Sequence, residues 1–378
     1  MIRLFLEPLD LWLFRDGRPF TAGADHHAHS MFPPSPLTLY GALRTKLLFG
    51  TAERSGANVT DSAFVERTVG AADDFERFTL RGPLLGRCEQ GTVTRLFPAP
   101  LDLARFEPRD AHAEEWQILT PQRALNDRLG LITDHRLALP WAASTGRPEA
   151  AAGRWLDEAS FFATLLGQAR PAIPAGALYQ VERRSGIELD GTGSGAGRRV
   201  VREGRLYSVA FVRPAPGVGL CLDLDGLDGL GSSGLLGLGG EGRASRYEAI
   251  PAATPSRAAA RDRVAQTGRP KVVLVTPALF AAGWLPAWVD ARSRATTNPV
   301  AGLRLVAAAV GRPAPIGGFD IRARRPRPIR QAVPAGSVYW FEEVEAGAAA
   351  RAFDALDGRC ISDEYARIGF GQCYVGGW

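Results

Sequence analysis

Lysine is nearly missing from this chain of 378 residues: Lys46 and Lys271 are the only two among 45 Lys+Arg, against 40 Asp+Glu, for a net charge of +5. So small an excess points away from a chain that coats a polyanion unaided. The arginine skew has two readings. GC-rich coding produces it without selection, while guanidinium forks match phosphate oxygens and lie flat on bases as an ammonium does not. Cysteine is scarce too. Cys88, Cys221, Cys360 and Cys373 form no C-x-x-C pair, which excludes a zinc knuckle and a redox dithiol. Long apolar runs are absent. The run from Ile2 to Phe14 is broken by Glu7 and Asp10 with no small-residue cleavage site after it, and Ala278 to Val289 is too short to span a bilayer and contains Pro286. The expectation is a soluble, cytoplasmic protein with no membrane partner.

What is present is a globular composition, 46% hydrophobic, over a length suited to two domains. Leu4 and Leu6, then Leu9, Leu11 and Leu13, alternate as a strand with a kink at Glu7-Pro8. Ser35-Pro36 is an N-cap and first-turn pair for a helix carrying Leu39, Leu43, Leu47 and Leu48. A hairpin is expected around Glu89-Gln90-Gly91 and a helix from Ser160 to Gln168, within a stretch from about 51 to 170 that reads as an insertion. Ala177 to Leu189 and Leu206 to Val212 read as a second hairpin with a glycine-rich tip.

Further on, Leu222 to Leu236 reads as a helix leading into the glycine loop Gly237 to Gly242 and a strand from Arg243 to Ile250. Ala348 to Leu356 leads likewise into Gly369-Phe-Gly371 and the closing Val375-Gly-Gly-Trp378, with strands at Val272 to Val275, Leu303 to Val310 and Val338 to Glu343 between. The resulting expectation is an α+β protein of two tandem ferredoxin-like, RRM-like units with glycine-rich loops. The first covers 1–255 and includes the insertion; the second covers 268–378.

Three constellations bear on chemistry. Asp25-His26-His27-Ala28-His29 gathers three of the five histidines. A phosphoesterase metal site needs more carboxylates than this, but a metal-independent ribonuclease needs only a general base beside a 2′-OH, for which His26, His27 or His29 qualifies, although no general acid is identifiable. Gly237 to Gly242 suits a loop whose N–H groups close on phosphate, yet it lacks P-loop spacing and a following Lys, and a tight turn explains it equally well. Arg322, Arg324, Arg325, Arg327 and Arg330, spaced by Pro326 and Pro328, form an extended rail for a phosphate backbone or else a solvated charged loop.

Glu7-Pro-Leu-Asp10, Phe14-Arg-Asp-Gly-Arg-Pro-Phe20, Ser30-Met-Phe-Pro-Pro-Ser-Pro36 and Thr38-Leu-Tyr-Gly-Ala-Leu-Arg44 carry a specific resemblance, joined by Leu238-Gly-Gly-Glu-Gly-Arg243 and Gly317-Gly-Phe-Asp320. The chain resembles the RAMP proteins of CRISPR systems, most closely subunit three of the Cmr module in type III-B effector complexes. The resemblance implies a non-catalytic RNA-binding subunit. It would hold the 5′ tag of the CRISPR RNA, dock on the large polymerase-like subunit, lie beside backbone RAMP subunits, and use no cofactor or metal.

On that footing the expected phosphate contacts are Arg15, Arg18, Arg44 and Arg243 with the amides of Gly237, Gly239 and Gly240, and Arg325 and Arg327 on the rail. His26, His29, Ser35 and Thr38 are candidates for base and 2′-OH contacts, and Phe20, Phe32 and Tyr247 for stacking. The rival reading is a metal-independent CRISPR-repeat endoribonuclease with a loop histidine as general base.

Overall fold

The first apolar run forms strand β1 (Ile2–Pro8) in a computed structural model that describes residues 1–15, 27–28, 30–71, 74–107, 115–133, 137–144, 146–190, 200–320 and 325–378. After it come α1 (Pro36–Ser55), α2 (Ser62–Val69), β2 (Thr79–Glu89), β3 (Thr92–Pro98), β4 (Arg154–Asp157), α3 (Glu158–Leu165), β5 (Ile173–Pro174), β6 (Tyr179–Asp190) and β7 (Val200–Pro214). The chain continues through β8 (Val218–Asp225), β9 (Ser233–Gly237), β10 (Ala244–Ile250), α4 (Ala258–Thr267), β11 (Pro270–Leu274), β12 (Leu303–Ala309), β13 (Val338–Glu343), α5 (Ala348–Leu356) and β14 (Cys373–Gly377).

The main sheet has eight strands in the order β5-β4-β3-β2-β8-β1-β10-β9, all pairings antiparallel. Leu4 and Leu6, two residues apart on β1, share a core with Leu39, Tyr40, Leu43 and Leu47 of α1, whose spacing puts them on one helical face. Arg3 and Phe5 belong to the opposite face. Arg3 Nε donates to Asp223 at 2.6 Å, and Arg95 pairs with Glu158 and lies 3.8 Å from Asp223, so each buried guanidinium meets a carboxylate. Gly86 and Gly219 face each other across β2 and β8, and the ring of Phe5 lies against both. A Cβ on Gly219 would sit 2.3 Å from the Leu6 carbonyl oxygen, so only glycine fits.

A second antiparallel sheet runs β12-β13-β11-β14 and is buried on both faces. Val272, Leu274, Tyr339, Phe341 and Val375 pack with α4 and α5, while Val273, Trp340 and Tyr374 pack with Phe97 of β3 and Phe161 and Leu165 of α3. The two sheets therefore share a core, crossed by an ion pair between Lys271 and Asp102 at 2.6 Å, each 1% exposed. Counting β1, β2, β8 and β10 as the first unit's strands, both sheets read second, third, first, fourth.

The mixed helix and antiparallel-strand class is as expected, as is the hairpin of β6 and β7, which pair from Tyr179 and Pro214 onward. Two expectations need correction. Leu222 to Leu236 is not a helix: Leu220, Leu222 and Leu224 recur at the strand period within β8, and Leu236 belongs to β9. The stretch 51–170 is not all insertion either, because β2, β3 and β4 are integral to the main sheet. A small sheet of Leu103–Glu107, Glu115–Ile118 and Arg147–Ala150 lies outside it.

Candidate nucleic-acid interface

Helix α1 starts as its sequence requires. Ser35, extended at φ −60° and ψ 142°, accepts a hydrogen bond from the Leu37 amide at 3.3 Å, and Pro36 follows in the first turn. With Leu39, Tyr40, Leu43 and Leu47 turned to the sheet, Thr38, Gly41 and Thr45 fall on the outer side, where they line a groove of about 1380 Å³. Five separate segments converge there: Leu13 to Arg15, the outer side of α1, the stretch from Val59 to Phe75 that contains α2, the glycine loop Gly237 to Gly240, and Gly317 to Asp320 with Pro326 and Arg327.

The structure thus brings Arg15, Thr38, Arg44, Gly237, Gly239, Gly240 and Arg327 to one concavity. Arg44 reaches from α1 to the end of α2, donating to the carbonyls of Gly70 at 2.9 Å, Ala71 at 2.8 Å and Asp74 at 3.1 Å. Its guanidinium lies 5.9 Å from the centre of the Tyr40 ring. Tyr40 is 1% exposed and stacks on Phe78, and among the described residues its hydroxyl has no hydrogen-bond partner. Burial pushes that phenol above its ordinary pKa while the Arg44 charge pulls the other way. Arg327 lies 3.8 Å from Asp320, and its amide donates to the Gly318 carbonyl at 2.9 Å.

The glycine loop is clamped to the first segment. The Gly240 amide donates to the Leu13 carbonyl at 2.8 Å, and at Gly239, φ +101°, a Cβ would lie 3.0 Å from the same oxygen. The expectation that the Gly240 amide serves phosphate is therefore corrected: it is spent within the fold.

Other expected contacts are used internally as well. Tyr247 is 2% exposed in the core, and Phe32 packs edge-on against Tyr179 at 4.6 Å and beside Trp12, so neither ring is free for stacking. The Ser35 hydroxyl, in a residue 4% exposed, is taken by the helix cap. Arg243 does not line the groove; it pairs with Asp10 at 3.0 Å and lies over the Phe211 ring at 4.8 Å. The closing glycines pack inward too, since a Cβ on Gly369 would fall on the Gly82 carbonyl oxygen and Phe370 is fully buried.

On the rail, Arg325 is exposed and Arg330 pairs with Glu364 at 2.6 Å. Arg18, Phe20, His26, His29, Arg322 and Arg324 lie outside the described residues, and for His27 only the backbone is described.

Gly41 falls within the expected helix start Thr38 to Arg44, whereas sequence reasoning missed Thr45 and Phe319 as groove residues, although Phe319 follows a glycine pair. Among the described residues no group of three or more His, Cys, Asp or Glu is placed to hold a metal, and no helix is long and apolar enough to cross a membrane.

Two antiparallel sheets with a shared core define the class, a mixed α/β protein with a groove that arginines and glycines help to line. A family model described as CRISPR-associated protein (Cas_Cmr3) matches residues 4–378, and the chain belongs to that family of Cmr-module subunits. No curated protein matches. Among solved structures, it is similar to a chain of the type III-B Cmr-beta complex bound to cognate target RNA and AMPPnP, at 17% identity and a TM-score of 0.48, over 97% of this chain and 94% of that one. A chain of Cmr-beta bound to cognate target RNA gives 17% and 0.45 over 89% and 86%. One from the Csm3–Csm4 subcomplex of a type III-A interference complex gives 10% and 0.31 over 100% and 99%.

Proposed function

We propose that this chain is the type III-B subunit that holds the 5′ tag of the CRISPR RNA, lying along the groove, and that it docks on the large polymerase-like subunit beside backbone RAMP subunits without cleaving RNA itself. The observation that carries the reading is the convergence on one concavity of Arg15, Arg44 and Arg327 with Thr38 and the Gly237–Gly240 loop, from segments hundreds of residues apart. The guanidinium groups of Arg15 and Arg327 serve the phosphates, Arg44, tied to the carbonyls of Gly70, Ala71 and Asp74, adds only its charge, and the Thr38 hydroxyl suits a 2′-OH or a base edge. The common strand order of the two sheets supports taking them as paired ferredoxin-like units, 1–255 and 268–378. Family membership supports the assembly.

The test is chemical probing of the tag in the assembled complex, with Arg15→Ala and Arg327→Ala beside the wild type. Each variant is expected to expose tag nucleotides and to flatten the slope of log K against log salt by about 0.7 for each phosphate no longer neutralised. Unchanged protection and slope in both would overturn the reading.

A further inference from the structure

We infer that Phe319 is a stacking platform for one unpaired nucleobase of the strand in the groove, an inference that rests on the tag-binding reading above. Four aromatic residues line the groove, and three are committed to ring contacts within the fold. Phe14 lies beside Trp12 and Phe32, Tyr40 is stacked on Phe78, and Phe75 meets Tyr40 and Tyr365. Phe319 is the exception. It is 59% exposed and, among the described residues, no other ring packs against it.

Its backbone is held in place. Phe319 and Asp320 pair with Pro326 and Arg325 as a short antiparallel ladder, closed by the hydrogen bond from the Arg327 amide to Gly318. Gly317 and Gly318 bring no side chain that would shade the ring, and Arg327, whose guanidinium lies 3.8 Å from Asp320, lines the same groove. A fixed, exposed ring in a groove that also holds an arginine is what a base on a phosphodiester strand requires, because every base has a π-face and its phosphate follows within reach. A protein partner fits less well: protein anchors seat within broad, charge-poor apolar patches, whereas Phe319 sits between glycines and charged Asp320 and Arg327.

The experiment uses the full chain and a 3′-labelled RNA bearing the 5′ tag, with a series in which each tag nucleotide in turn is made abasic. Phe319→Ala should weaken binding by roughly 5- to 150-fold, and Phe319→Trp should keep it. One abasic position should cost the wild type a similar factor yet cost Phe319→Ala nothing more. Wild-type affinity in Phe319→Ala, or every abasic loss adding in full to that of the variant, would overturn the inference while leaving the groove reading intact. Wild-type chain that ignores the tag altogether would instead sink the groove reading. A Phe319→Ala defect confined to protein assembly in the absence of RNA would assign the ring to a protein partner and overturn the inference.

Discussion

Lys271 and Asp102 are both 1% exposed and meet at 2.6 Å, while the second Asp102 oxygen has no hydrogen-bond partner among the described residues. Removing only the cation strands a buried carboxylate, so Lys271→Met is expected to lower unfolding free energy by about 3–5 kcal/mol, and Lys271→Met with Asp102→Leu to recover most of it. Urea unfolding checks this; a loss under about 1 kcal/mol in the single variant would refute it. Cys221 gives a pH dependence. Burial raises its thiol to about 12, against an unfolded value of about 8.5, so the folded state favours the neutral form. That stability is complete below about pH 8.5 and is lost as pH climbs toward about 12, so the urea midpoint should fall across this window, less steeply in Cys221→Ala. Equal slopes would contradict it. At this scale the sequence was legible where the neighbours along the chain decide, as with the Ser35 cap. It was illegible where distant packing decides: Tyr247 and Phe319 are both aromatic, and only the tertiary fold buries one and exposes the other.

Helix α1 contains a glycine in mid-run, at Gly41, exposed on the groove side with nothing within 4 Å of where a Cβ would be. Nothing among the described residues requires glycine there, and a helix is weaker for having it. Gly41→Ala is therefore expected to stabilise the free chain by about 0.5–1 kcal/mol in thermal unfolding while reducing affinity for tag RNA, as the added methyl stands where the strand crosses α1. Retained affinity would move the strand's path off this part of the helix. Elements whose period is unambiguous were readable in advance, namely α1, α5 and the β6–β7 hairpin. The leucine-rich stretch after Gly219 was misread because its apolar spacing satisfies both periods until β8 is seen paired on two sides.

The order of strands in the sheets could not be read from the chain. β1 pairs with β8 and β10, more than two hundred residues away, and no local signal marks such partners. The glycine-rich segments were visible, but not that one of them opens on a groove and another is wedged against Leu80 and Gly82 of β2. Because Val273, Trp340 and Tyr374 of the second sheet fill the same core as Phe97 and Phe161, the two sheets should unfold together. Tryptophan fluorescence and far-ultraviolet circular dichroism should report one coincident urea transition; two separated transitions would show the cores to be independent. The groove takes one bank, α1 and the Gly237–Gly240 loop, from chain that packs with the main sheet, and another, Gly317 to Asp320 with Arg327, from the segment between β12 and β13 of the second sheet. An occupant touching both banks would act as a suture, and at a hundred times its dissociation constant would add about 2.7 kcal/mol to the work of pulling the halves apart, making the loaded particle sturdier than the bare polypeptide.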